Sequence, residues 1–117
     1  MSRLSTHVLD AVRGRPAADV AIELHIVEAG GQRLVKQVRT NSDGRTDQPL
    51  LSAAELRVGT YVLTFHIGDY FARTGAATST PPFLDVVPLR FTIADPGGDY
   101  HVPLLATPWS YSTYRGS

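Results

Sequence analysis

The sequence predicts an all-β sandwich of seven or eight short strands. Three observations carry that expectation. Apolar and polar residues alternate with a period of two along several short runs, Gly, Pro, Asn and Asp cluster between the runs, and helical signals are confined to two brief stretches.

The first strand is predicted over residues 4–10, where alternation puts Leu4, Thr6 and Val8 on one face and Ser5, His7 and Leu9 on the other. Gly14, Arg15 and Pro16 end it. The clearest periodicity lies at residues 20–28: Val20, Ile22, Leu24 and Ile26 alternate with Ala21, Glu23, His25 and Val27, as in a strand with one dry face. Ala29, Gly30 and Gly31 then predict a turn, and the β-branched and long polar residues at 34–38 bring the chain back, so residues 20–39 read as a hairpin. Ser52 and Glu55 have capping-box spacing for a brief turn of helix. Residues 61–67 form the next strand, with Leu63, Phe65 and Ile67 on one face and Val62, Thr64 and His66 on the other. Residues 69–73, between Gly68 and Gly75, give a second helical signal of one or two turns. Thr78 to Pro82 predict an extended surface loop. Strands at 86–93, 100–105 and 109–114, separated by Asp95-Pro96-Gly97-Gly98-Asp99 and Thr107-Pro108, complete the set.

Length and composition bound what such a sandwich can do. The 117 residues predict one domain spanning 1–117, since domains commonly hold about 100–150 residues. There is no cysteine, which excludes disulfides, thiolate catalysis and Cys-ligated metal centres. Eleven Lys and Arg balance eleven Asp and Glu, and no run of like charge offers a surface for nucleic acid or an anionic membrane. The first residues lack an apolar signal core, and no stretch approaches the ~18 apolar residues that span a bilayer, so a soluble, cytoplasmic protein is expected.

Four histidines, at 7, 25, 66 and 101, are the candidate acid-base groups. His25 and His66 fall on the more polar faces of their strands and read as solvated or satisfied surface residues. A two-histidine metal site there lacks the third ligand a catalytic zinc needs, so no metal and no cofactor are expected. His7 and His101 lie in alternating segments where structure and function are equally good accounts. Arg45 follows a Ser42-Asp43-Gly44 turn that could aim its guanidinium inward, although a solvated arginine is the plainer reading.

Taken together, Leu4-Ser5-Thr6-His7-Val8-Leu9-Asp10, Thr40-Asn41-Ser42-Asp43-Gly44-Arg45, Tyr100-His101-Val102-Pro103-Leu104-Leu105 and the terminal Tyr114-Arg115-Gly116-Ser117 resemble, in order, the signatures of the transthyretin-like 5-hydroxyisourate hydrolases. One departure stands out: Trp109-Ser110 occupies the place where the family commonly has a tyrosine and a glycine.

The resemblance implies a transthyretin-like sandwich of two four-stranded sheets with one short helix. It also implies a homotetramer enclosing a channel, with active sites at the dimer-dimer interface. The implied reaction opens a cyclic amide of 5-hydroxyisourate, in urate catabolism, to 2-oxo-4-hydroxy-4-carboxy-5-ureidoimidazoline. The implied catalytic residues are His7, Arg45, His101 and Ser117. His7, Arg45, Tyr114, Arg115 and Gly116 would bind the substrate.

The chemistry needs a deprotonated water, a stabilised carbonyl oxygen and a protonated leaving nitrogen, which a histidine pair and an arginine can supply without metal. No Gly-x-Ser-x-Gly elbow supports a covalent serine route. A transthyretin-like small-ligand carrier is the alternative, but an apolar cargo has no need of two histidines, an arginine and a polar tail. An immunoglobulin-type module lacks the Cys-Trp-Cys spacing.

Overall fold

The computed structural model describes residues 2–116. Its elements are β1 (Arg3–Ser5), β2 (Val8–Asp10), β3 (Arg15–Pro16), β4 (Ala21–Glu28), β5 (Gly31–Arg39), β6 (Gly59–Phe65), α1 (Ile67–Thr74), β7 (Val87–Ile93), β8 (Asp99–His101), β9 (Leu104–Ala106) and β10 (Tyr111–Thr113). Two four-stranded sheets, ordered β5-β4-β6-β7 and β10-β9-β2-β3, form the sandwich, and β1 pairs with β8 in a two-stranded parallel extension. The all-β sandwich with one short helix stands as expected.

The period of two decides which side chains meet between the sheets. Along β7, Val87, Leu89 and Ile93 are buried while Pro88, Arg90 and Thr92 are exposed. Along β4, Ile22 and Leu24 are sealed from solvent, and they meet Leu63 and Phe65 of β6, with Leu4, Val8 and Leu104 also in the core. The hairpin of β4 and β5 turns through Ala29 and Gly30, with Gly30 at φ 100°. Its register shifts between Leu24 and His25, which leaves Val35 as the extra residue of a β-bulge. The shift reverses the parity of β5, so Leu34 opposes His25 on the outer face and is 46% exposed.

Several predicted boundaries move. The expected strand at 4–10 is split into β1 and β2, and that at 100–105 into β8 and β9, at the same level of one parallel ladder. Pro103 has no N–H to give, and the Thr6 hydroxyl instead donates to the Val102 carbonyl at 2.7 Å. The ladder resumes where Leu104 N–H reaches the His7 carbonyl at 2.9 Å. The alternation nevertheless holds across the break: Leu4, Thr6 and Val8 are buried, and Ser5, His7 and Leu9 are half-buried.

Arg15 and Pro16, expected as a turn, form the edge strand β3 against β2. The last strand begins at Tyr111 and not at Trp109. Thr107 binds the N–H groups of Trp109 and Ser110 through its hydroxyl, which makes residues 107–110 a closed turn. Trp109 stacks on Phe83 with ring centroids 6.0 Å apart.

The helical signals divide. Residues 52–55 form a single turn in which Ser52 N–H donates to the Glu55 carboxylate at 2.9 Å, the reciprocal half of a capping box. Helix α1 begins two residues earlier than expected and takes in Gly68. A Cβ there would lie 2.9 Å from Asp85 Cα, so only glycine lets the helix dock. Gly75 ends α1 in the left-handed conformation, and Ala76 N–H reaches the Phe71 carbonyl, as in a Schellman cap. Residues 78–82 are a loop, as expected. Among the described residues, no helix is long and apolar enough to cross a membrane.

Candidate active site

The split parallel ladder brings three of the expected residues to one end of the sandwich. His7 sits in the gap between β1 and β2. Its neighbours are pinned: Thr6 by the bond to Val102, and Val8 by its N–H to the Gly44 carbonyl at 2.8 Å. That second contact also docks the loop carrying Arg45. Asn41 folds the loop, its side-chain oxygen accepting the N–H groups of Asp43 and Arg45 at 2.9 and 3.2 Å. Gly44 is left-handed, and a Cβ on it would sit far inside van der Waals contact with the Val8 carbonyl oxygen, so the Asp-Gly-Arg turn can approach β2 only with glycine there.

His7 Nε2 lies 2.8 Å from the Asp43 carbonyl oxygen. A carbonyl only accepts, so Nε2 donates and carries the proton in the neutral ring, which leaves the lone pair on Nδ1. His101, on β8, stands in register with Ser5 of β1, and its Nδ1 lies 2.9 Å from the Ser5 hydroxyl. Burial lowers the affinity of both imidazoles for a proton, and the nearby Arg45 guanidinium lowers it further. For His101, the His7 ring and Arg3 push the same way. Arg45 is thus the charge that both histidines feel.

A polar cavity of about 290 Å³ is lined by Arg3, Ser5, Arg45, Asp99, Tyr100 and His101. Its size suits a purine-sized ring system, at the small end of known ligand sites. A second cavity, of about 190 Å³, continues from Arg3, Ser5 and Arg45 along residues 46–49. Among the described residues, no group of three or more His, Asp or Glu side chains could hold a metal ion.

The tail is held beside this cavity. Gly116 and His101 pair through their backbones, and Arg115 donates to the Asp99 carbonyl at 3.0 Å while its guanidinium lies 4.3 Å from the Tyr100 ring centroid. Tyr114 and Arg115 also line a separate, more apolar cavity between the β7 and β10 edges. Ser117, expected as a catalytic residue, lies outside the described residues.

His25 and His66 stand away from the cavity. His66 faces Glu23 across 3.7 Å and is satisfied, as expected. His25 departs from the expectation in one respect, because its Nδ1 is buried without a hydrogen-bond partner among the described residues.

Ser5, Arg3 and Asn41 were not singled out by sequence reasoning. Asn41 had a visible signal, an Asx residue two before the Asp-Gly turn. Ser5 and Arg3 join the cavity only because β1 runs parallel to β8, a pairing across 96 residues that no local pattern shows.

Residues 4–116 match the HIUase/Transthyretin family model. A 5-hydroxyisourate hydrolase of Deinococcus radiodurans is 58% identical over 114 residues, covering 97% of this chain and 95% of the relative. The structure of Klebsiella pneumoniae 5-hydroxyisourate hydrolase superposes with a TM-score of 0.79 at 37% identity, covering 99% of this chain and all of that one. An (S)-allantoin synthase structure superposes at 0.92 with 49% identity over 98% of this chain, which spans 43% of the synthase chain.

Proposed function

The chain belongs to the HIUase/Transthyretin family, and from that premise we propose that it is a hydrolase that opens 5-hydroxyisourate by attack of water on a cyclic amide. The observation that carries the reading is the convergence of His101 and Arg45 on one polar cavity, with His7 close enough to be felt electrostatically by His101. A carrier of apolar aromatic ligands gains nothing from this set of donors.

His7 and His101 hold and activate the water. Both are biased toward the neutral form, which is the form that can accept a proton near pH 7. Arg45 presents a planar fork to an oxygen-rich ring and stabilises the carbonyl oxygen as it gains charge. The tail from Tyr114 to Ser117 closes the site. Each of these roles is part of the proposal.

A homotetramer with active sites at the dimer-dimer interface belongs to the same reading, as does action in the cytoplasm. Supporting the assembly, β7 and β10 are edge strands of their sheets among the described residues, and Phe83, Trp109, Tyr111 and Tyr114 are large exposed apolar residues. The direct test generates 5-hydroxyisourate from urate with a uricase and follows its ultraviolet absorbance. Faster decay with the protein present is expected, and decay at the spontaneous rate would refute the reading.

A further inference from the structure

We propose that Ser5 is a positioning residue that fixes the His101 ring, holding its proton on Nε2 so that His101 serves the reaction as a hydrogen-bond donor. This rests on the hydrolase reading of the same cavity and divides the work that reading gives jointly to the two histidines.

The geometry constrains the His101 ring on two edges. On one, Ser5 Oγ lies 2.9 Å from Nδ1, and the hydroxyl is placed by backbone, since Ser5 and His101 are register partners and the Ser5 carbonyl accepts Val102 N–H at 2.9 Å. On the other, the Gly116 backbone passes so close that an added Cβ would lie 3.1 Å from both Cβ and Cδ2 of His101. Nε2 is the ring nitrogen left for chemistry. The Ser5 hydroxyl lies within hydrogen-bond reach of His101 Nδ1 and can donate to it. Donation from Oγ to Nδ1 therefore satisfies both half-buried groups, and it leaves the proton on Nε2.

The two histidines are then complementary. His7 keeps its Nε2 proton, donating that N–H to the Asp43 carbonyl, and offers the Nδ1 lone pair. The water oxygen bonds to the ring carbonyl carbon while its proton passes to His7 Nδ1. Negative charge collects on the carbonyl oxygen, where Arg45 and His101 Nε2–H donate to it. When the C–N bond breaks, its electron pair goes to nitrogen, and the proton on His7 passes to that nitrogen. His101 stays neutral throughout, as a donor in a preorganised oxyanion site needs to.

The test combines kinetics with nitrogen NMR of histidine-labelled protein, using the full chain. Wild-type His101 is expected as the Nε2–H tautomer. Ser5→Ala should lower kcat by ~10- to 100-fold, the range for a displaced catalytic group, with KM within about twofold and the His101 tautomers now mixed. An Nδ1–H tautomer in the wild-type protein would overturn the proposal, and this measurement decides the matter even if Ser5→Ala does not fold. A Ser5→Ala kcat within twofold of wild type, or a loss of activity with the tautomer unchanged, would overturn it as well. His101→Ala at the wild-type rate would instead sink the hydrolase reading of the site, so the two failures are distinguishable.

Discussion

The backbones of Gly116 and His101 exchange hydrogen bonds in both directions, Gly116 N–H to the His101 carbonyl at 2.7 Å and His101 N–H to the Gly116 carbonyl at 3.3 Å. Gly116 is therefore tied to the strand that carries a candidate catalytic histidine. Gly116→Ala would press a methyl group against the imidazole at 3.1 Å, closer than ordinary van der Waals contact. A kcat lowered roughly tenfold is expected from the displaced ring, with the melting temperature little changed because Gly116 is not part of the buried core. Steady-state kinetics and thermal melts check it, and an unaltered kcat would count against the contact's importance.

Substitution should distinguish His7, Arg45 and His101 from the remaining histidines. His7→Ala, Arg45→Ala and His101→Ala should each lower the rate at least ~100-fold, the low end for losing acid-base or oxyanion assistance, while His25→Ala and His66→Ala stay near wild type. Rates on freshly generated 5-hydroxyisourate, with circular dichroism to confirm folding, decide it. Equal losses in both groups would refute the assignment.

Burial and the Arg45 charge together set the acid limit. Burial and then the Arg45 charge lower the proton affinity of both His7 and His101, so each titrates below its ordinary value of 6.5. Between that lowered value and 6.5 the unfolded chain binds more protons than the folded one. Stability contributed by the neutral rings is therefore complete above 6.5 and is lost as pH falls through that window. The acid limb of kcat/KM should likewise lie below pH 6.5. Arg45→Gln should raise both histidine midpoints in an NMR titration, and midpoints that fall or stay put would show that Arg45 is not the charge they feel.

One buried pair should govern stability with no direct part in the chemistry. Tyr70 donates its hydroxyl to the Asp10 carboxylate at 2.8 Å, joining α1 to β2, and Asp10 is 1% exposed. The other carboxylate oxygen accepts the N–H groups of Val12 and Arg13. Removing the hydroxyl in Tyr70→Phe leaves a sealed acceptor short of a partner, a cost of ~1–3 kcal/mol. Chemical denaturation should show that loss while kcat at room temperature persists.

Much of this fold is legible in the sequence because a period of two is a local property. Val20 to Ile26 and Val87 to Ile93 announce their dry faces without reference to any partner, and Gly44 and Gly75 mark turns through their own backbone preferences. What is not legible depends on residues far apart. The bulge that throws Leu34 outward arises from competition between two strands for register. The break at Thr6 and His7 depends on Pro103 on the opposite strand, and Ser5 meets His101 only through parallel pairing. His7, Arg45 and His101 were found through ordered motifs, since alternation alone left the two histidines undecided.

The tail gives the most demanding test. Chain ends fray when few contacts hold them, and deleting a frayed end costs nothing. Here β10 pairs with β9, Thr113 donates to the Pro103 carbonyl at 2.7 Å, Arg115 lies against Tyr100, and Gly116 bridges to His101. These contacts are polar or surface contacts, and none of Tyr114, Arg115 and Gly116 belongs to the hydrophobic core. Removing residues 114–117 should therefore abolish hydrolysis and leave the melting temperature nearly intact, because residues 114–116 lie outside the buried core. Full activity in the truncated protein would refute the role of the tail. Activity lost only together with the oligomer, as seen by sedimentation, would reassign the tail to assembly.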